Sequence, residues 1–364
     1  MPPRWRPVLS RIDPYVPPPP LATLEAELGG PVIRLSANEN PLGPSPLAVD
    51  AIRAEAARIH LYPDGGAPAL AAAVGATLGV GPDYLLFGNG GDEILTLVAR
   101  ALLEPGDEVV VPDPAFEPYR TVTLLAGATV VASPLVDYRI DLDDVLGRVS
   151  SRTKLVFLSS PHNPTGVALP RAAWEAFVRR CPEDVVVLLD EAYVDFVEDP
   201  AAAAAGLASL PARPEALVLL RTFSKITGLA GLRVGFAIAA PAVIAALERV
   251  REPFNVGRLA QAGAAAAARD TAHREATRRL VFRQKRAVYA VFDDRKLPYV
   301  PTDANFVLVR IGGDSGRVVA AMRARGVLVR DGAHVGYPGH LRISIGTAEQ
   351  NARMVAALDT ARAA

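Results

Sequence analysis

Short apolar runs of four or five residues recur between residues 45 and 240 and alternate with stretches of helical pattern. Most are continuous runs of Val, Leu and Ile, which is typical of strands buried on both faces of a mostly parallel sheet. Helical stretches such as Asp92–Leu103 and Arg171–Arg180 would supply the crossovers. The runs are Tyr84–Phe87, Glu108–Val111, Thr129–Ala132, Lys154–Leu158, Val185–Leu189, Ala216–Leu220 and Val234–Ile238. The pattern predicts a large α/β domain.

The pattern changes on either side of this region. The prolines Pro17–Pro20 predict an N-terminal arm of extended, stiff chain. After Pro241 a long helical stretch runs to about residue 295, broken near Pro253. Strands are then predicted at Asn305–Arg310, Val327–Val329 and Leu341–Ile345, and helices at Gly316–Arg325 and Glu349–Ala363. The predicted division is an arm over residues 1–30, a large domain over 31–245 and a smaller α+β domain over 246–364.

Composition excludes several classes of partner. The chain has 364 residues, of which 50% are hydrophobic, and 39 Lys and Arg balance 39 Asp and Glu. Without a net positive field the chain is not expected to bind nucleic acid or an anionic membrane, which favours a small-molecule substrate. A single cysteine, Cys181, and prolines and charges in place of an apolar leader predict a cytoplasmic protein.

Ligands of an open α/β sheet bind at the carboxyl ends of its strands, so the residues that follow each run are candidates for a site. Ser224 and Lys225 follow the run Ala216–Leu220, and Arg233 comes eight residues after the lysine. A lysine amine held against a carbonyl can act as a nucleophile, and a serine hydroxyl with an arginine can hold a phosphate. This combination suggests pyridoxal 5'-phosphate, although the segment alone fits a surface lysine as well.

The other strand ends add complementary groups. The turn Gly88–Glu93 opens a helix, and its amides could bind a phosphate or simply form a tight turn. Phe116, after the run Glu108–Val111, could stack on the ring of a ligand or belong to the core. Asn163, after the run Lys154–Leu158, places an amide donor at the same edge of the sheet. Asp190 ends an apolar strand, where a carboxylate needs a cation such as a protonated pyridine nitrogen.

In their order and spacing, these motifs resemble the fold-type I pyridoxal-phosphate aminotransferases, and more narrowly the histidinol-phosphate aminotransferases. The resemblance covers the chain from Tyr15 to beyond Gly346. The segments that carry it are Leu35–Pro41, Leu61–Asp64, Asn163–Gly166, Asp190–Tyr193, Ser224–Arg233, Arg251–Asn255, Ala304–Phe306 and Leu341–Thr347. It implies a large, mostly parallel-sheet domain, a smaller α+β domain and a homodimer with shared active sites.

The resemblance also implies roles at the cofactor ring. Lys225 would bond to the cofactor aldehyde and carry protons, and Asp190 would pair with the ring nitrogen. Asn163 and Tyr193 would hydrogen-bond the ring's 3'-oxygen. Phe116 would stack on the ring where many relatives have tyrosine.

Further residues would hold the cofactor phosphate. By the same resemblance, the backbone amides of Gly91 and Asp92 would bind it together with Ser224 and Arg233. Gly91 stands where relatives often carry a small hydroxyl residue, so one contact would be absent. Tyr62 would reach the phosphate of the neighbouring subunit.

By the same resemblance, Arg342 would bind the acidic group of the substrate, with Arg330, Tyr15 and Asn40 in the same pocket, although Arg342 also fits an ordinary arginine at the start of a strand. The resemblance implies a reaction that transfers an amino group between L-histidinol phosphate and 2-oxoglutarate in histidine biosynthesis. Because arginine binds phosphate and carboxylate alike, an aromatic amino acid aminotransferase stays open, as does a threonine-phosphate decarboxylase of the same fold. The histidines show no metal-ligand spacing, so no metal is expected.

Overall fold

A computed structural model describes residues 4–15, 17 and 19–363 and has a central seven-stranded sheet. Each apolar run predicted to be a strand belongs to it, so this prediction is confirmed. The strands are β2 (Leu85–Asn89), β3 (Glu108–Asp113), β4 (Thr129–Pro134), β5 (Thr153–Ser159), β6 (Val186–Asp190), β7 (Leu217–Thr222) and β8 (Val234–Ile238). Their order across the sheet is β2-β8-β7-β6-β5-β3-β4.

Strand β8 runs antiparallel to both of its neighbours, whereas β4, β3, β5, β6 and β7 pair in parallel. The connection from β7 to β8 covers residues 223–233, which is too short for the crossover that a parallel neighbour needs. The chain therefore turns back at the carboxyl edge of the sheet. As a consequence Arg233, which precedes β8, lies at the same edge as the ends of the parallel strands.

Alternate side chains along the strands pack into two hydrophobic cores, one on each face of the sheet. In β5, Leu155 and Phe157 pack on one face while Val156 and Leu158 pack on the other. The helices that cover the faces are α2 (Pro46–Glu55), α3 (Pro68–Leu78), α4 (Gly91–Leu102), α5 (Pro118–Ala126), α6 (Leu142–Gly147), α7 (Arg171–Arg180), α8 (Gly206–Ser209), α9 (Pro241–Glu248) and α10 (Arg258–Arg269). Burial on both faces explains why the strands read as continuous apolar runs.

The smaller domain is built on the antiparallel sheet β12-β13-β10-β9. Its strands are β9 (Tyr299–Val300), β10 (Phe306–Arg310), β12 (Arg330–Asp331) and β13 (His340–Ser344), and its helices are α11 (Thr271–Asp294), α12 (Ser315–Arg323) and α13 (Ala348–Ala363). A further pair, β1 (Ile33–Arg34) and β11 (Val327–Leu328), is parallel. Among the helices of the described residues, none combines the length and the apolar character needed to cross a membrane.

Packing does not follow the predicted boundaries at residues 31 and 245. Ile33 and Leu35 are buried in the small-domain core, because β1 pairs with β11. Helix α10 packs instead with the core of the large domain, where its alanines and Gly263 allow close contact with Ile52 of α2. We therefore propose that residues 31–36 join the small domain and that the large domain extends to about residue 269.

The predicted arm is not extended throughout. Helix α1 spans Leu21–Leu28 and ends at Gly29 with φ 67°, so the prediction of extended chain over residues 1–30 is wrong there. The prolines stop at Pro20, and the leucines, alanines and glutamates that follow favour a helix. Residues 1–3, 16 and 18 of the arm lie outside the described residues.

Gly228, in the loop after Lys225, has φ +71°, and a Cβ there would overlap the carbonyl oxygen of Gly43. Gly79 has the same φ, but a Cβ there would meet nothing within 4 Å. Gly79→Ala should lower the free energy of unfolding by roughly 1–2 kcal/mol from backbone strain alone. Gly228→Ala should lower it by at least about 1 kcal/mol more, because a clash with backbone adds to the strain. Urea unfolding measures both, and equal losses would contradict the prediction.

Candidate active site

A cavity of about 310 Å³ opens at the carboxyl edge of the central sheet. It collects side chains that follow different strands, as the strand-end pattern predicts. Of the residues predicted to hold a cofactor, those that line it are Gly91, Asp92, Phe116, Asn163, Asp190, Tyr193, Ser224, Lys225 and Arg233. The cavity has the size of a small-molecule site.

Asp190 ends β6 and is 7% exposed. Its Oδ2 accepts a hydrogen bond of 2.8 Å from the Tyr119 hydroxyl, and its Oδ1 accepts one of 2.9 Å from the Ala192 amide. Burial raises the pKa of Asp190 to about 6, and these two hydrogen bonds oppose the rise. The carboxylate is thus held in one orientation at the floor of the cavity, with room for a cation beside it.

Lys225 follows β7, and its Nζ points into the cavity. Nζ donates to the carbonyl oxygen of Ala37 at 3.3 Å and lies 5.6 Å from the centroid of the Tyr193 ring. The turn that presents it is held by the Ser224 amide, which donates to the Thr222 hydroxyl at 3.0 Å. A loop with its own hydrogen bonds therefore places the lysine in the cavity that Asp190 also lines.

Tyr193 and Asn163 are each oriented by a neighbour outside the cavity. Asn38 Nδ2 donates to the Tyr193 hydroxyl oxygen at 3.0 Å, and Arg342 Nη1 donates to Asn163 Oδ1 at 2.7 Å. Because the oxygens are engaged in this way, the Tyr193 hydroxyl hydrogen and the Asn163 amide hydrogens remain free to donate. Both residues line the cavity and can offer hydrogen-bond donors there.

The first turn of α4 and Arg233 form the end of the cavity that suits an anion. The helix begins at Gly91 after Gly90 with φ 79°, and among the described residues no side chain caps it. A Cβ at Gly90 would crowd the Arg233 guanidinium, which donates to Asp92 Oδ2 at 3.0 Å. Glycine at position 90 thus lets the Arg233 guanidinium lie next to the N-terminus of α4. The guanidinium and the N–H groups of the first helical turn both favour the binding of an anion there.

Arg342 of β13 is 9% exposed and lies just outside the cavity, behind Asn163. Its Nη2 donates to the Ser36 carbonyl at 3.0 Å, its guanidinium carbon lies 5.3 Å from the centroid of the Phe306 ring, and its Nε has no partner. Burial lowers the pKa of Arg342, and Arg330 across the strand pair adds to this effect. Within the described chain, its partners are neutral oxygens rather than carboxylates. The site contains a buried cation that an anion would stabilise.

The remaining predicted site residues do not line this cavity. Tyr62 and Tyr15 are 78% and 83% exposed, and Arg330 is also exposed. Asn40 is buried, and its Nδ2 donates to the Ile226 carbonyl at 2.8 Å while its Oδ1 accepts from the Leu42 amide at 2.9 Å. Its amide thus holds the chain, and its contact with the substrate stays a prediction.

Tyr119 and Asn38 are site residues that the sequence analysis did not single out. Tyr119 lies three residues after Phe116, and their rings meet edge to face with centroids 5.7 Å apart. The signal available was this three-residue spacing, which brings the two residues together across the turn that leads into α5, where the Tyr119 amide donates to the Phe116 carbonyl at 3.1 Å. Asn38 gave no such signal, because its contact with Tyr193 depends on a backbone φ of 57°.

The buried carboxylate gives a prediction for protein freed of bound small molecules. The pKa of Asp190 in the folded chain, about 6, lies above the usual value near 3.9. The folded state therefore loses stability relative to the unfolded state as pH rises through this interval, because the buried carboxyl resists ionisation. Asp190→Asn removes that titration. The variant should therefore gain stability relative to the wild type between about pH 4 and pH 7, by on the order of 3 kcal/mol.

The measurement is urea unfolding of both proteins across that pH range. His162 opposes Asp190 in the same interval, because burial lowers its pKa to about 4. The difference between variant and wild type cancels the His162 contribution. A difference that does not change with pH would contradict the prediction.

Comparison with known proteins agrees with the fold and the site. Residues 30–358 match the family model described as aminotransferase class I and II. The histidinol-phosphate aminotransferases of Moorella thermoacetica and Symbiobacterium thermophilum are each 44% identical to the chain over 357 residues, covering 98% of it and 92% and 98% of their own lengths. The crystal structure of histidinol-phosphate aminotransferase from Sinorhizobium meliloti in complex with pyridoxal-5'-phosphate superposes with a TM-score of 0.89 at 29% identity, covering 99% of this chain and 98% of that one. The family predicted from the motifs is confirmed, and the chain belongs to the class I and II aminotransferases.

Proposed function

We propose that this aminotransferase moves an amino group between L-histidinol phosphate and 2-oxoglutarate, with pyridoxal 5'-phosphate as its cofactor. The observation that carries the substrate assignment is the buried Arg342 guanidinium beside the cavity. The names of the similar proteins support the same reaction. The residues of the cavity support the cofactor.

The donor set of the cavity fits the cofactor at each of its functional groups. Asp190 would hold the ring nitrogen as a cation, and that cation would favour the ionised carboxylate against burial. Asn163 and Tyr193, whose hydrogens are free to donate, would hold the 3'-oxygen. Phe116, half-buried on the cavity wall, would stack on the ring. The bound cofactor would supply an electron sink for negative charge that develops on the substrate.

The cofactor phosphate would bind between α4 and the loop before β8. Gly91 and Asp92 would offer backbone N–H groups, and Ser224 and Arg233 would add a hydroxyl and a guanidinium. The Asp92 carboxylate would have a different role, because it pairs with the Arg233 guanidinium and helps to hold it in place.

Lys225 would hold the cofactor covalently and then act as the base and acid of the reaction. Its Nζ lies in the cavity and is directed by the Ala37 carbonyl, so the free amine can reach the atoms next to the cofactor. A single positioned amine could take a proton from one substrate atom and return it to another, as general base and then general acid.

Arg342 would receive the phosphate of histidinol phosphate and the carboxylate of glutamate in turn. A guanidinium binds either anion through two parallel hydrogen bonds. The phosphate carries up to two charges and three acceptor oxygens, so it should gain more from a buried cation than a carboxylate does. Arg330, opposite Arg342 in the strand pair, and Tyr15 on the arm are further candidates for this contact.

Arg342→Ala tests the substrate assignment. It should lower kcat/KM roughly ten- to hundredfold for both histidinol phosphate and glutamate, because a charge-assisted pair of hydrogen bonds is lost. Arg310→Ala, an exposed arginine at the end of β10, is the matched control and should leave both values unchanged. Steady-state kinetics should also show histidinol and phenylalanine as poorer substrates of the wild type. If phenylalanine is better than histidinol phosphate, an aromatic aminotransferase is the correct assignment.

A homodimer with shared sites forms part of the proposal. Ile59, Leu61, Tyr62 and Phe254 are exposed large hydrophobic residues, and the rings of Tyr62 and Phe254 stack with centroids 4.7 Å apart. Arg258 fixes the segment by donating to the carbonyl oxygens of Leu61 and Tyr62. An exposed apolar patch of this kind suits a second copy, whose phosphate site Tyr62 would complete.

We also place the protein in the cytoplasm, which its free Cys181 supports.

Hybrid dimers test the shared site. Lys225→Ala should be inactive and Tyr62→Phe strongly impaired. A mixture should regain activity, because one of the two sites in a hybrid contains both wild-type residues. Each variant mixed with itself is the control, and sedimentation should show a dimer. A fully active monomer would contradict the proposal.

A further inference from the structure

We propose that Tyr119 is a positioning residue that keeps Asp190 ionised and aligned with the cofactor ring nitrogen. The inference rests on the proposed function, since it assigns Asp190 to that nitrogen. It adds a residue that does not line the cavity and acts only through the carboxylate.

The geometry leaves Tyr119 little freedom. It is 1% exposed, its ring stacks on Phe157 at 4.8 Å and 7°, and its edge meets Phe116. Its hydroxyl and the Ala192 amide bind different oxygens of Asp190, at 2.8 and 2.9 Å. Two donors on two oxygens fix the plane of the carboxylate. The same tyrosine therefore supports both the carboxylate and the aromatic ring of Phe116 that faces the cavity.

The chemistry of the Tyr119–Asp190 pair determines which of the two groups donates the hydrogen bond. Burial and the charge of Asp190 raise the pKa of Tyr119 well above its usual value, so the phenol stays protonated and can only donate to the carboxylate. That donation favours the ionised form of Asp190 against burial. Without it the carboxylate becomes more basic. The proton shared between Asp190 and the ring nitrogen should then move toward Asp190, and the ring should lose its positive charge.

Tyr119→Phe removes the hydroxyl and keeps the ring stacked on Phe157. The readout is the ¹⁵N NMR shift of the ring nitrogen in holoenzyme loaded with ¹⁵N-labelled pyridoxal 5'-phosphate. We expect the shift to move from that of a protonated toward that of a neutral pyridine. We also expect kcat to fall about tenfold or more, since a hydrogen bond to a charged group is lost.

Thr123→Val is the matched control. Thr123 is buried in the same helix and donates its hydroxyl to the carbonyl oxygen of Tyr119 at 2.7 Å, without touching Asp190. It should lower thermal stability and leave the ¹⁵N shift at the wild-type value. A Thr123→Val shift equal to that of Tyr119→Phe would mean that packing, not the hydroxyl, sets the ring charge, and would overturn the proposal.

Asp190→Asn separates this inference from the proposed function. If Asp190→Asn changes the ¹⁵N shift while Tyr119→Phe leaves it and kcat at wild-type values, the positioning role of Tyr119 is wrong and the proposed site stands. If Asp190→Asn also leaves the shift unchanged, the proposed pairing of Asp190 with the ring nitrogen is wrong as well.

Discussion

The carboxylate of Asp190 lies at the end of a strand buried on both faces, where an ionised group is stable only if donors or a cation meet it. Tyr119 and the Ala192 amide supply the donors, and the proposed ring nitrogen supplies the cation. The same part of the chain also forms the cavity wall, because Phe116 lies just before α5, the helix that contains Tyr119, and the two rings are in contact. The sheet tolerates the charge only with that support.

A short segment before α2 joins the two domains at the site. Asn38 donates its backbone N–H to the Ser344 hydroxyl of the small domain and its side-chain amide to Tyr193 of the large one. Two residues earlier, the Ser36 carbonyl accepts from Arg342. The proposed substrate contact and the proposed cofactor contact are thus held by one stretch of backbone. A change in the packing of either domain should reach both contacts through this stretch.

Part of the site could be predicted because strand ends in a parallel sheet share an edge. Asp190 and Lys225 follow recognisable apolar runs, so their meeting in one cavity could be anticipated. Asn38 shows the limit: its side-chain amide donates to Tyr193, whereas that of Asn40, two residues later in the same motif, donates to the Ile226 carbonyl. A left-handed backbone conformation turns Asn38 toward the site, and nothing in the residue order reveals it.

The sequence by itself determined the large α/β domain, the position of its strands and the family, because apolar periodicity and short polar motifs are local properties of the chain. Only the tertiary structure decided which hydrophobic core α10 and β1 join, since each packs according to the partners available to it in space. It also decided which polar atoms are oriented by a neighbour. Asn163 and Asp190 take their orientation from Arg342 and Tyr119, which lie 179 and 71 residues away along the chain. Hydrogen bonds between such distant residues depend on distance and angle in space, which local sequence patterns do not specify.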